Sequence, residues 1–129
     1  MTNLLDPTLR RVVATNETKF LPYDRYGEPR PNFSWLALSQ DKEKTYELFL
    51  LRIDAGGVSQ PHEHVGVEEF LMLEGELEDC DGAVYRPGDF VSFSPGSRHS
   101  PTSRKGCLLL VFLRGQNRAI EADHTTVRR

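Results

Sequence analysis

Residues 56–75 read GGVSQPHEHVGVEEFLMLEG, a stretch that combines strand-like alternation with metal-binding side chains. His62 and His64 are two residues apart, and on an extended strand such residues point to the same side. Glu68 follows after a short turn through Gly66, at the start of a second predicted strand. Imidazole nitrogens and a carboxylate oxygen together suit zinc, iron, manganese or nickel. The stretch therefore predicts one divalent metal ion bound where two strands meet.

A second stretch, residues 88–101, reads GDFVSFSPGSRHSP and supplies a third histidine, His99. Its first two residues predict a tight turn, residues 90–94 predict a strand, and Pro95-Gly96 bends the chain so that His99 can face the same interior. The predicted metal ligands are therefore His62, His64, Glu68 and His99.

Other readings of these side chains stay open at this stage. Taken alone, His62 and His64 also fit a pair of solvent-exposed histidines on an edge strand. Glu69 is a second carboxylate beside Glu68, and either glutamate can be a solvated side chain. His124 lies in a polar tail and is interpreted as a bystander.

The rest of the chain contains many turn-forming residues. Before residue 115 it shows no helical periodicity long enough to predict a helix. The predicted strands are residues 32–39, 45–53, 67–73, 77–80, 83–86, 90–94 and 107–113. Asp81-Gly82 is a hairpin signal because both turn positions tolerate positive φ. Short strands spaced by turns are typical of a sandwich or barrel. We therefore predict one all-β domain, with an N-terminal arm over 1–31 that packs on the barrel or a partner subunit, a barrel over 32–114 and a polar C-terminal tail over 115–129.

Composition excludes several classes of function. The net charge is −3 and the pI near 5.8, so no basic surface for nucleic acid is indicated. The longest apolar run, residues 108–113, is far shorter than the roughly 20 residues of a membrane span. No signal peptide is visible, which predicts a cytoplasmic protein whose two cysteines are free thiols. Cys107 is interpreted as a core residue and Cys80 as a turn residue that can be exposed.

Strand alternation also assigns the neighbours of the predicted site. Counting from Glu68, Phe70 and Met72 fall on the ligand side, as core residues or as the wall of a pocket. Arg52 is interpreted as a rim or surface arginine, although it could reach an anionic ligand inside the barrel. The aromatic residues Phe20, Tyr23, Tyr26, Phe33 and Trp35 are expected to pack the arm onto the barrel or onto a partner.

Both stretches resemble the two motifs of the cupin superfamily. The first motif, Gly, five residues, His-x-His, three or four residues, Glu, six residues, Gly, is met by Gly56, His62, His64, Glu68 and Gly75. The six-residue interval to Gly75 selects Glu68 over Glu69. The second motif, Gly, five residues, Pro-x-Gly-x-x-His, three residues, Asn, is met by Gly88, Gly96 and His99. It departs at Ser94, where proline is expected, and at Ser103, where asparagine is expected.

Residues 45–114 are more specifically similar to the cupin domain of ChrR-type anti-sigma factors and their stand-alone relatives. The resemblance implies a jelly-roll β-barrel, a metal bound by the four residues named above, and a homodimer. In ChrR-type proteins a separate N-terminal zinc-binding helical domain holds the sigma factor. Residues 1–44 contain no cysteine, so this chain is not expected to sequester a sigma factor by that route.

Two functions remain open from the sequence. The first is a small non-haem metal dioxygenase-type enzyme that acts on a small oxygenated organic molecule, because three histidines and one carboxylate leave two positions free on a six-coordinate ion. The alternative is a ChrR-like zinc-binding sensor or ligand-binding module without catalysis, since four protein ligands complete the tetrahedral coordination of zinc. No further acid, base or nucleophile is evident in the sequence.

Overall fold

Antiparallel β-strands form nearly all the regular structure of the protein. The structure is a computed structural model that describes residues 4–121. In this range the elements are a 3₁₀ helix (Pro7–Leu9), β1 (Leu21–Pro22), β2 (Phe33–Gln40), β3 (Tyr46–Ile53), β4 (Gly57–Val58), β5 (His62–His64), β6 (Val67–Gly75), β7 (Leu77–Glu78), β8 (Val84–Tyr85), β9 (Phe90–Phe93), β10 (Arg98–His99), β11 (Thr102–Ser103), β12 (Cys107–Arg114) and β13 (Asn117–Ala119). The predicted all-β fold is confirmed. His124 lies outside the described residues.

The strands form three sheets. The largest has six strands in the order β1-β2-β3-β12-β6-β9, and its long central strands carry the core. A three-stranded sheet has the order β10-β5-β13, and a four-stranded sheet has the order β4-β11-β7-β8. Consecutive strands β5 and β6 therefore belong to different sheets, and the turn between them connects the two.

The inner face of the six-stranded sheet forms the main core. Alternate residues of β3, β6 and β12 point inward, as the period of two for strands requires. Their side chains form one cluster with residues of the smaller sheets and of the arm: Tyr23, Phe33, Phe49, Ile53, Phe70, Met72, Leu77, Cys107, Leu109, Val111 and Leu113. Burying one such side chain contributes about 1.5–3 kcal/mol. The prediction that Phe70 and Met72 face the interior is confirmed by their exposures of 4% and 1%.

The outer face of the same sheet carries a second, aliphatic cluster. Leu36, Leu50 and Leu108 are buried there, and Val13 and Phe20 of the arm pack against them. The arm also adds the short edge strand β1 to the sheet by pairing with β2. Part of the arm therefore covers the outer face.

The turn between β5 and β6 depends on Gly66. A Cβ built at this position would lie 1.8 Å from the carbonyl oxygen of Arg114, which no real side chain tolerates. Only glycine allows the turn to lie this close to the end of β12. The turn joins His64 to Glu68, so the packing of Gly66 against the end of β12 determines the relative positions of these two residues.

None of the helical structure within residues 4–121 has the length and apolar character that crossing a bilayer requires.

Candidate metal centre

The four residues singled out in the sequence come from three strands that the topology brings together. His62 and His64 lie on β5, and β10 pairs with β5 so that His99 stands directly opposite His62. Glu68 lies on β6, between Leu113 of β12 and Phe93 of β9. All four side chains are buried, and His64 has no exposed surface.

The side-chain atoms that can act as ligands converge on one point. One ligand atom from each of the four residues lies within 4.8 Å of the other three. Nε2 of His62 and Nε2 of His99 are 3.0 Å apart. Oε1 of Glu68 is 2.7 Å from Nε2 of His64 and 3.8 Å from Nε2 of His62. The group is thus small enough for one ion to contact all four.

The partners of the Nδ1 atoms determine which ring nitrogen carries the proton. Nδ1 of His62 is 2.8 Å from the carbonyl oxygen of Gln60, which can only accept a hydrogen bond. Nδ1 of His64 is 2.8 Å from Oγ of Ser97, whose own hydrogen is donated to the carbonyl of Ser94. Because both partners accept a hydrogen bond, each neutral ring is assigned a proton on Nδ1 and a lone pair on Nε2.

His99 follows the same rule with a charged partner. Its Nδ1 lies 3.0 Å and 3.2 Å from the two carboxylate oxygens of Asp79. A carboxylate accepts hydrogen bonds, so the neutral His99 ring also carries its proton on Nδ1. All three Nε2 lone pairs therefore face the centre of the cluster.

This arrangement fits a bound cation. Two unprotonated Nε2 atoms 3.0 Å apart repel each other unless a positive charge lies beside them or one ring becomes an imidazolium. In addition, Nε2 of His64 is buried without a hydrogen-bond partner, because its short distance to Glu68 lacks hydrogen-bond geometry. Buried polar atoms without partners are rare in native proteins, and a metal ion would satisfy this one.

Glu68 and Glu69 point in opposite directions from β6. Nδ2 of Asn117 donates to Oε2 of Glu68 over 3.3 Å. Burial alone would raise the pKa of Glu68, but when His62 and His64 carry the positive charge in place of a metal, their hydrogen bonds and charge lower this pKa well below its usual range. Glu69 instead accepts hydrogen bonds from Ser92 and Arg114 on the outer side of the sheet. The carboxylate selected by the spacing is the one at the cluster.

A small apolar cavity opens beside the candidate ligands. Its volume is about 40 Å³, and its walls are mostly aromatic and aliphatic residues of the core, with Tyr23, Ser59, His62, Glu68, His99 and Asn117 as its polar members. A water molecule needs about 10–15 Å³ on this measure, so only a few water-sized groups fit. Two rings cover the ligands themselves, since Tyr26 stacks on His62 and Phe93 stacks on His64.

Two further sequence interpretations can be compared with the structure. Arg52 is exposed and lies over the ring of Phe20, 5.4 Å from its centroid, so the surface interpretation is confirmed. Cys80 is exposed and Cys107 buried, both as free thiols. Neither cysteine is near enough to join the cluster of candidate ligands.

The sequence reasoning missed the residues that support the candidate ligands. Asp79 could have been found from the sequence. It is two residues from the core residue Leu77, so strand alternation predicts that its side chain points to the same inward face. Ser97 and Asn117 have no such signal. Asn117 belongs to the predicted polar tail, where β13 pairs with β5 and lies beside His62 and His64.

Comparisons with known proteins agree with this fold. The family profile described as "ChrR Cupin-like domain" matches residues 9–116. An RmlC-like cupin from Ralstonia eutropha JMP134 superposes with a TM-score of 0.74 at 18% identity, over 88% of this chain and 73% of that one. An acetylacetone dioxygenase from Acinetobacter johnsonii superposes with a TM-score of 0.73 at 16% identity, over 88% and 78% of the two chains.

A third solved structure is Rhodobacter sphaeroides SigE in complex with the anti-sigma ChrR. It superposes with a TM-score of 0.61 at 20% identity, over 76% of this chain. The match spans about half, 49%, of the other chain. A search of curated protein sequences finds no match. Identities this low show the fold alone, and they confirm the predicted cupin jelly-roll barrel.

Proposed function

Because the chain belongs to the ChrR cupin-like domain family, whose profile matches residues 9–116, we propose that it binds one divalent metal ion through His62, His64, Glu68 and His99. The observation that carries the proposal is the convergence of three Nε2 lone pairs and one carboxylate oxygen within 4.8 Å. Nitrogen and oxygen donors of this kind suit zinc, iron, manganese or nickel.

The activity that we propose is that of a small non-haem metal dioxygenase-type enzyme acting on a small oxygenated organic molecule. Iron or manganese held by these four side chains would supply Lewis-acid and redox chemistry to that molecule. The apolar walls of the adjacent cavity would shield the metal from bulk solvent, and the cavity volume of about 40 Å³ favours a small substrate.

The polar residues of the cavity would orient that molecule. Tyr23 is the one ionisable residue besides the candidate ligands that lines the cavity, within the described part of the chain. Burial raises the pKa of Tyr23 far above its usual value, so the phenol stays protonated and serves as a donor, not as a base. Proton abstraction by a side chain is therefore not part of the proposal.

A second candidate is a ChrR-like zinc-binding sensor or ligand-binding module without catalysis. The family match favours it, and so does the number of ligands, since four protein side chains complete the usual coordination of zinc. In this role the cavity would admit a small signal molecule beside the metal without converting it.

We also propose that the protein is a homodimer. Phe90 and Leu73 lie on the outer face of the six-stranded sheet and are 64% and 40% exposed. Phe90 lies opposite Leu71, which is two residues from Leu73 on the same face of β6, and adjoining exposed apolar side chains mark interfaces between subunits. Light scattering coupled to gel filtration measures the mass directly, and a monomer at micromolar concentration would contradict this proposal.

The metal content of protein purified anaerobically without chelators tests the proposed function first. Near one iron or manganese per chain supports the dioxygenase-type enzyme, and oxygen consumption with small diketones is then measured. Near one zinc per chain supports the sensor. Metal far below one per chain, even after incubation with each of the four metals, contradicts both.

A further inference from the structure

Asp79 lies in the turn after β7 and is buried although it is acidic, with 7% of its surface exposed. Three donors surround its carboxylate. The hydroxyl of Tyr85 donates to Oδ2 over 2.6 Å, and the backbone amide of Cys80 donates to Oδ1 over 2.8 Å. The third donor is Nδ1 of His99, which lies 3.0 Å from Oδ2 and 3.2 Å from Oδ1. The carboxylate is thus fixed from two sides and faces the third histidine.

The three histidines differ in the partner behind them. His62 has a backbone carbonyl and His64 has a serine hydroxyl, both of which are neutral. Only His99 has a charged partner, and the contact is fully enclosed, with 5% of each side chain exposed. A buried carboxylate has to be stabilised by something other than water, and no arginine or lysine is paired with Asp79 among the described residues.

We propose that Asp79, held by Tyr85 and by the Cys80 amide, is a positioning residue that fixes a proton on Nδ1 of His99, so that Nε2 is the nitrogen left for the metal, and that adds a second negative charge behind the metal. The inference deepens the proposed function and rests on it for the metal. With Glu68, Asp79 would balance the two positive charges of a divalent ion in a buried site. Carboxylates behind histidine ligands orient the ring and raise its basicity.

The Cys80 amide makes the effect of Asp79→Asn specific. That amide must face the oxygen of the new side chain, because two N–H groups cannot face each other at 2.8 Å. The amide nitrogen then takes the place of Oδ2, beside Tyr85 and 3.0 Å from Nδ1 of His99. A hydrogen on Nδ1 would clash with this nearer N–H group, although the side-chain oxygen stays 3.2 Å away, so Nδ1 accepts and the ring carries its proton on Nε2, where a metal would bind.

The experiment compares wild type and Asp79→Asn by ¹⁵N-resolved NMR of the imidazoles in metal-free protein at pH 8. We expect Nδ1 of His99 to carry a proton in wild type and to lack one in the variant. We also expect metal affinity, measured by chelator competition, to fall by about 10–100-fold in the variant. A wild-type Nδ1 without a proton, or an unchanged state of Nδ1 in the variant, would overturn the proposal.

Two further variants separate positioning from stability. Glu78→Gln removes a charge from the preceding residue, which forms a surface ion pair with Arg104, and should leave metal affinity within about twofold of wild type. Tyr85→Phe keeps the carboxylate but loses one of its anchors, so we expect a smaller affinity loss than for Asp79→Asn. An equal loss in Glu78→Gln would overturn the proposal by showing a general charge effect.

Failure of the proposed function gives a different result. If wild type binds none of the four metals while the His99 tautomer still changes in Asp79→Asn, the metal assignment is wrong and the control of the ring by Asp79 stands. If wild type binds metal and the tautomer does not depend on Asp79, the proposed function stands and this inference is wrong.

Discussion

The two faces of the six-stranded sheet are formed by the same strands but have different partners. On the inner face, Phe70, Met72 and Leu113 pack around a buried polar group that includes Glu68. On the outer face, Leu36, Leu50 and Leu108 form an aliphatic cluster. The inner face is closed by two other sheets, whereas the outer face is partly covered by an arm with little regular structure.

This difference predicts where substitutions are costly. An enclosed face cannot relax around a missing side chain, and its polar atoms depend on specific partners. A face covered by an irregular arm can adjust when a side chain is shortened. Pairs of residues on one strand but on opposite faces therefore test the comparison directly.

The largest effect is expected for the combined change of His62→Ala and His64→Ala, on the strand β5 that faces Glu68 of the inner face. Because two of four candidate ligands are removed, stoichiometric metal binding should be lost in elemental analysis. Glu63→Gln is the matched control, since Glu63 lies between them but pairs with Arg98 and Arg118 at the surface. Near-full metal retention in the double variant would contradict the ligand assignment.

The next largest effect is expected on stability, from two leucines of β12. Leu113 has no exposed surface on the inner face, and Leu113→Ala should lower the free energy of unfolding by about 3–5 kcal/mol. Leu110 packs at the edge of the outer cluster, and Leu110→Ala should cost about 1–2 kcal/mol. Urea denaturation of the metal-free proteins measures both, and equal losses would break the comparison.

Glu68 and Glu69 provide the same contrast for metal binding. Glu68→Gln replaces a candidate ligand and should weaken metal affinity by about tenfold or more, which is 1.4 kcal/mol. Glu69→Gln alters only contacts with Ser92 and Arg114 on the outer face and should leave affinity unchanged. If chelator competition shows similar losses for the two variants, or the reverse order, Glu68 is not the ligand.

The smallest effect is expected from Tyr26 at high pH. Burial raises the pKa of Tyr26 from 10.0 to about 12. A raised pKa means that the phenol stabilises the fold fully below about pH 10 and that this contribution is lost as the pH rises through about 12. Tyr26→Phe should reduce the alkaline loss of stability by about 1 kcal/mol, since part of the side chain is exposed.

Unfolding in urea between pH 9 and pH 12 measures this difference. Tyr46→Phe is the outer-face control, because Tyr46 packs against Phe112 and bonds to Ser39 away from the inner cavity. Identical effects of the two substitutions would contradict the role given to burial of Tyr26.

The sequence by itself determined the all-β fold and the four candidate ligands. Period-two alternation and turn residues act over a few positions, so they can be recognised without knowing what a strand packs against. The pair at His62 and His64 follows from this local geometry. Glu68 and His99 follow from spacing within motifs, and the structure places all four together.

Only the tertiary structure decided what surrounds those four residues. Asp79, Ser97 and Asn117 contact the candidate ligands from positions 20 to 49 residues away in the chain. The predicted polar tail includes β13, which pairs with the ligand strand β5, and Tyr26 of the arm stacks on His62. Such contacts join single polar or aromatic residues across different sheets. A single residue cannot form a repeating pattern such as the period-two alternation of a strand. The local sequence therefore contains no pattern from which these contacts could be predicted. Only the folded arrangement of the strands brings the residues to the site.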